Sequence, residues 1–153
     1  MSLLIRFMFF ALIIAACKTS EITVKGTDSK KKNVVLIYKH YSRGFYKEYQ
    51  FEEKKISTFT DYKKLIPIET RLKSKDWAKT LELLENLDIK KFSSLEAPSN
   101  LRKTDKVEFG RLILKIQGST LKSKTFDHGN PPDMIKAIIS HLLNIIDSES
   151  INN

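Results

Sequence analysis

The sequence predicts an α+β fold, with an antiparallel sheet of four to five strands and two helices on one face of it. Residues 34–53 and 111–126 have the β-branched, aromatic or alternating composition of antiparallel hairpins. Residues 74–87 and 131–147 carry apolar side chains at helical spacing. Two helices over one sheet give a two-layer structure with a single core, in the order β-β-(β)-α-β-β-α.

The first hairpin begins with residues 34–41, a run rich in β-branched and aromatic side chains. Residues 42–44 end in Gly44 and predict a tight turn, because glycine readily adopts positive φ. Residues 45–53 then alternate, with Phe45, Lys47, Tyr49 and Phe51 on one side of the strand. A third strand is expected near residues 56–60.

The first helix follows a connection, residues 63–73, that contains Pro67. Ser74 is predicted to be its N-cap, and Asp76 in the first turn suits the positive end of the helix dipole. The face that we expect to be buried consists of Trp77, Leu81, Leu84 and Leu87.

The second hairpin and the last helix complete the predicted domain. Leu112, Leu114 and Ile116 are predicted to point to one side of a strand, and Arg111, Ile113, Lys115 and Gln117 to the other. The chain turns at Gly118 and returns over residues 120–126. Asn130 as N-cap and Pro131 at the first helical position predict the start of the helix. Its buried stripe would be Ile135, Ile138, Ile139, Leu142 and Ile146, and residues 148–153 are expected to fray.

The bulk composition fits one small domain with a basic surface. Of the 153 residues, 41% are hydrophobic and 29% are charged, which is ordinary globular usage. The formal net charge is +9, which favours attraction to phosphates, anionic lipid headgroups or an acidic protein. The alternative is that the lysines only keep the surface soluble.

The first sixteen residues are typical of a signal peptide. Arg6 precedes an apolar run, residues 7–16, which is too short to span a hydrocarbon layer of roughly 30 Å. The run ends in Ile14-Ala15-Ala16-Cys17, an aliphatic residue and two small residues before the only cysteine of the chain. This motif resembles the lipobox of bacterial lipoproteins.

The resemblance implies that Cys17 accepts a diacylglyceryl group on its sulfur and that the chain is cleaved before Cys17. Fatty acyl chains of the palmitate kind would then anchor the protein in a membrane. Lys18 follows the cysteine in place of aspartate, which in the better-known sorting rule favours the outer membrane, facing the periplasm. We expect residues 1–16 to be the signal peptide, 17–32 a flexible tether and 33–147 the domain. The alternatives are an ordinary secretory signal with a chance cysteine, or an uncleaved anchor.

The sequence predicts no metal site, no cofactor and no catalytic centre. The three histidines, His40, His128 and His141, show no metal-ligand spacing. Neither a Gly-x-Ser-x-Gly motif nor a glycine-rich phosphate loop is present.

The most site-like residues lie around the polar loop 125–132, between a strand and a helix N-terminus. Asp127 and His128 are candidate binding residues there, and Arg102 and Asp105 of a preceding segment could lie close, with Arg102 pairing with Asp127. The alternative is that Asp127 and Asn130 cap the turn and the helix, while His128 only tolerates the loop backbone.

These observations predict an envelope lipoprotein with a basic, non-catalytic binding or scaffolding domain. Its partners would be the membrane, through lipid on Cys17, and an envelope protein or an anionic surface. Nucleic acid is not expected, because the strand aromatics Tyr38, Phe45, Tyr49 and Phe51 are better explained as core and the protein is exported. Two alternatives are an inhibitor or immunity-type module against an envelope-targeting enzyme, and a small hydrolase.

Overall fold

A computed structural model of the chain describes residues 33–150, and the α+β class is confirmed. The signal peptide and the tether that the sequence predicts lie outside the described residues. The strands are β1 Val34–Ser42, β2 Phe45–Glu52, β3 Lys55–Phe59, β4 Ile68–Arg71, β5 Phe109–Ile116, β6 Ser119–Lys122 and β7 Phe126–Asp127. The helices are α1 Ser74–Glu85 and α2 Asp133–Ser150. Neither of these two helices is both long and apolar enough to cross a membrane.

The strands form one antiparallel sheet in the order β4-β3-β2-β1-β5-β6, with β7 also paired to β5. One hydrophobic core cluster joins the sheet and the two helices. Alternate residues of the central strands, such as Leu36, Tyr38 and Leu112, are buried there with Trp77 of α1. The α2 members of the same core are Ile135, Ile138, Ile139, Leu142 and Ile145.

The predicted core assignment of the aromatic strand residues is correct for three of the four. Tyr38, Tyr49 and Phe51 belong to the core, and Phe45 is half-buried against the ring of His40. The opposite sheet face carries the residues between them in sequence, including Lys39 and Arg111, which are paired in the β1–β5 ladder.

The sheet is larger than predicted, with seven strands within residues 33–150 in place of four to five. The connection after β3 contains the short edge strand β4, and the loop before α2 contains the two-residue strand β7. Both strands were missed because each is too short for a two-residue period to be distinguished from a loop.

The ends of α2 also differ from the prediction. The helix begins at Asp133, so Asn130 is not its N-cap and Pro131 is not its first residue. Asn130 instead forms a bridge with Asp127, which prolongs extended pairing into the loop. At the other end the helix continues to Ser150, beyond the predicted domain end at residue 147.

One close approach in β5 requires a glycine. A Cβ atom on Gly110 would lie 2.5 Å from Cε2 of the buried Phe126 ring. Gly110 pairs with His40 on one side and with Phe126 on the other. The absent side chain therefore lets the β7 segment pack directly over β5 and brings the loop after β7 close to β1.

Candidate functional site

Arg102 and Asp127, which the sequence grouped as candidate site residues, form a buried ion pair. Their side chains are 7% and 2% exposed, and Arg102 Nη1 lies 2.9 Å from Asp127 Oδ1. Asp127 Oδ1 also accepts the backbone N–H of Arg102, at 3.0 Å. Asp127 Oδ2 accepts the backbone N–H of Leu101 at 2.8 Å and the Ser99 hydroxyl at 2.5 Å.

This network holds Asp127 ionised. Burial acts to raise the pKa of Asp127, but hydrogen bonds from Ser99 and Arg102 outweigh it and hold the pKa well below its ordinary value. With both oxygens occupied by donors, the carboxylate joins the 3₁₀ turn Leu101–Thr104 to β7. Asp127 is therefore a structural residue within the described part of the chain.

The alternative prediction that Asp127 is a capping residue is correct, but the segment that it caps is not the predicted one. Asp127 caps the start of the 3₁₀ turn, which lies about 25 residues earlier in the chain, and not the helix that follows. Asn130 donates from Nδ2 to the Ser99 hydroxyl oxygen, at 2.8 Å. Asp105, the fourth candidate residue, is exposed in the left-handed conformation (φ 55°) that ends the turn and is not part of this network.

His128 belongs to a different cluster, with Tyr38, His40 and Glu108. Its Nδ1 lies 2.6 Å from the Tyr38 hydroxyl, and its ring stacks on the His40 ring with centroids 4.2 Å apart and planes inclined by 11°. His40 Nδ1 contacts Glu108 Oε2. One ligand atom from each of His40, Glu108 and His128 lies within 4.8 Å of the others, so the three could hold a metal ion. We call these three residues the His–Glu cluster.

The sheet brings the His–Glu cluster together from distant parts of the sequence. His40 lies near the end of β1, directly opposite Gly110 of β5. Glu108 immediately precedes β5, and its carbonyl oxygen accepts the backbone N–H of His128 at 2.9 Å. A search of the sequence for metal-ligand spacing could not have identified this cluster, because the cluster depends on the β1–β5 and β5–β7 registers. The polar loop signal identified His128 but neither His40 nor Glu108.

Burial shifts the pKa of His128 and of the neighbouring Tyr38. It lowers the pKa of His128, and the nearby His40 lowers it further, against the opposing effect of Glu108. Burial also raises the pKa of the Tyr38 hydroxyl, with a smaller contribution from the Glu108 charge. A neutral His128 keeps a nitrogen lone pair, which makes it able to bind a metal ion or accept a proton.

A basic cavity of about 440 Å³ lies beside the buried ion pair. Its charged lining residues are Glu96, Arg102, Lys103, Arg111 and Lys124, and Lys124 forms an ion pair with Glu96. The Nε atoms of Arg102 and Arg111 are buried and have no hydrogen-bond partner among the described residues. The cavity therefore combines four cationic side chains with one acidic one.

No protein-family model, curated protein or solved structure matches this chain.

Proposed function

We propose that the protein is a lipid-anchored envelope protein whose domain binds an anionic group in the basic cavity, without catalysis. The observation that carries the proposal is the charge of the cavity lining, with Arg102, Lys103, Arg111 and Lys124 around one space. Hydrogen bonds to charged groups contribute about 1.5–3 kcal/mol each, so a few such contacts give usable affinity for a phosphate or carboxylate group.

The rigidity of Arg102 supports this proposal. Its Nη1 donates to Asp127 and to the Ser99 carbonyl oxygen, so the guanidinium is held in one position before any ligand arrives. Preorganised donors lose less side-chain entropy on binding than freely rotating lysines do. Arg102 would therefore bind the anion as a preorganised donor. Asp127 would hold the Arg102 side chain in place without contacting the ligand itself.

The adjoining sheet face extends the positive charge. Lys39 pairs with Arg111 across β1 and β5, and Lys122 pairs with Ile113 across β5 and β6. Burial lowers the pKa of Lys39, and among its neighbours Glu48 raises it while Arg111, Lys64 and Lys122 lower it. Like charges placed this closely on one surface favour an anionic partner, such as an acidic protein or an anionic envelope surface.

Binding in the cavity is tested by titrating the full-length chain, purified in detergent, with inorganic phosphate while amide chemical shifts are followed. Sodium chloride at matched ionic strength is the control titrant. Shifts should concentrate around Lys103, Arg111 and Lys124 and saturate with phosphate only. Shifts that follow ionic strength equally for both salts would reject a built anion site.

Two charge reversals and one neutralisation localise the binding. Lys103→Glu and Arg111→Gln change lining residues and should each weaken the phosphate affinity by about tenfold, which corresponds to 1.4 kcal/mol. Lys136→Glu makes the same kind of change at an exposed position of α2 outside the cavity lining and should leave the affinity close to wild type. Equal weakening by all three variants would point to net charge alone.

The anchor is tested separately on the mature N-terminus. Mass spectrometry of the membrane fraction should find Cys17 as the first residue carrying acyl groups, and Cys17→Ser should abolish the modification. An unmodified Cys17 in the mature chain would reject lipidation and leave the cavity proposal standing.

A further inference from the structure

We propose that His40, Glu108 and His128 form a binding site for a divalent first-row transition-metal ion, with Zn²⁺ as its simplest occupant. The three side chains come from β1, from the residue before β5 and from the loop after β7, and their ligand atoms lie within 4.8 Å of one another. This inference is independent of the anion cavity, whose lining contains none of the three residues.

The donor set determines the class of metal. Two imidazoles and one carboxylate suit Zn²⁺ and its transition-metal neighbours, whereas Ca²⁺ and Mg²⁺ prefer a shell of oxygen atoms. Three protein ligands leave a fourth position for water or for a ligand, as in zinc sites that remain open.

Metal binding requires a small and specific rearrangement. Ligand atoms of a tetrahedral zinc site lie about 3.3 Å apart, and those of the His–Glu cluster lie within 4.8 Å of one another, so the widest separation must shorten by up to about 1.5 Å. An imidazole binds a metal in its own plane, and the rings of His40 and His128 are stacked nearly parallel. One ring must therefore turn out of the stack when the metal binds.

His128 is the ring that can turn. It is half-buried in the loop after β7, next to exposed Gly129, whereas His40 is buried in a central strand. Glu108 is also accessible, with a side chain that is 31% exposed. The two ligands that are able to move are thus the two near the surface, and the buried ligand is the fixed one.

Tyr38 provides support of the kind that bound metals use. Its hydroxyl lies 2.6 Å from His128 Nδ1, and the ring of Tyr38 is fully buried in the core. Histidine ligands usually bond through their second nitrogen to a neighbouring group that sets the tautomer and the ring direction. In this proposal the Tyr38 hydroxyl is a positioning group: its bond to Nδ1 is kept while the His128 ring turns about it, and Nε2 of His128 binds the metal.

The test is isothermal titration of the full-length chain, purified in detergent and stripped with a chelator, with Zn²⁺ and separately with Mg²⁺. We expect one Zn²⁺ per chain, no heat from Mg²⁺ binding, and visible d–d absorption when Co²⁺ replaces Zn²⁺. In NMR spectra, Zn²⁺ should also remove the mutual ring-current shifts of the two stacked imidazoles. A titration with no saturable Zn²⁺ binding would overturn the proposal and leave the cluster as a group of hydrogen-bonded side chains.

Variants at the two accessible ligands assign the site without disturbing the core. His128→Gln and Glu108→Gln should each abolish the saturable binding, and Tyr38→Phe should weaken it by about 10–100-fold. His141→Gln is the matched control, because His141 lies on α2 and its Nε2 bonds to the Asp76 carbonyl oxygen. Cys17→Ser should leave the binding unchanged, which excludes a thiol as the source. Zn²⁺ affinity that survives both Glu108→Gln and His128→Gln in folded protein would refute this assignment.

Discussion

Replacing Asp127 by alanine should destabilise the domain more than any other change of a single charged side chain described above. The substitution removes a carboxylate that is 2% exposed and accepts four hydrogen bonds. It also leaves the guanidinium of Arg102, itself 7% exposed, without its counterion.

The expected magnitude follows from that second effect. Breaking a buried ion pair by removing one partner costs about 3–5 kcal/mol, because an uncompensated charge stays in a poorly solvated site. At about 4 °C per kcal/mol for a domain of this size, the melting temperature should fall by more than about 10 °C. A cap that was only local would cost about 1 kcal/mol.

Urea denaturation of the wild type, Asp127→Ala and Asp105→Asn at pH 7 measures the difference. Asp105→Asn removes the same charge from an exposed residue and should change the free energy of unfolding by less than about 0.5 kcal/mol. The difference in free energy of unfolding between the wild type and Asp127→Ala should shrink as the pH falls below about 4. The folded-state pKa of Asp127 is depressed, so its contribution is present above the unfolded pKa and is lost as the carboxylate protonates. A destabilisation under 1 kcal/mol, or one that does not change between pH 7 and pH 3, would refute the reasoning.

Three further changes test other parts of the fold by the same denaturation measurement. Gly110→Ala places a Cβ 2.5 Å from the Phe126 ring and should cost about 1–3 kcal/mol; a neutral result would mean that β7 can move away. Glu48→Gln removes the charge that binds Lys64 Nζ at 2.6 Å and should destabilise the domain at pH 7 but less at pH 3. Burial acts to raise the pKa of Glu48, but hydrogen bonds from Lys64 and Tyr46 outweigh it and lower the pKa in the folded state, so the stabilisation is lost as the carboxylate protonates. Leu84→Ala should cost about 2–5 kcal/mol, and a cost below 1 kcal/mol would show that α1 is not packed into the core as described.

The sequence was sufficient for the elements with long periodic patterns. The start of α1 was predicted within one residue, but Ser74 is the first helical residue and Lys73 is the N-cap, so the predicted capping role of Ser74 was wrong. The strands at residues 34–53 and around 111–116 were predicted within one or two residues. These predictions succeeded because alternation and turn residues act locally, and the core faces follow from them. Strand β4 was not predicted, because its four residues lie on a sheet edge and none is buried, so they show no alternation of apolar and polar side chains.

The candidate site was predictable only where chemistry was local. Asp127, Asn130 and His128 lie close together in one polar segment of the sequence, so a site was predicted there, and the expected pairing of Arg102 with Asp127 is present. The partners of His128 were not predicted. His40 lies next to His128 only because of the β1–β5 and β5–β7 pairing registers. Sequence separation of 68 residues between His40 and Glu108 carries no spacing signal.

The direction of β1 decides how the molecule would be displayed on a surface. The described chain enters the domain at Val34, and His40 lies six residues further along the same strand, about 20 Å away. An anchor upstream of residue 33 would pull on the near end of the sheet, whereas the two histidines lie toward the far end. The metal ion proposed at the His–Glu cluster would then be held about 20 Å from the point where such an anchor joins the sheet.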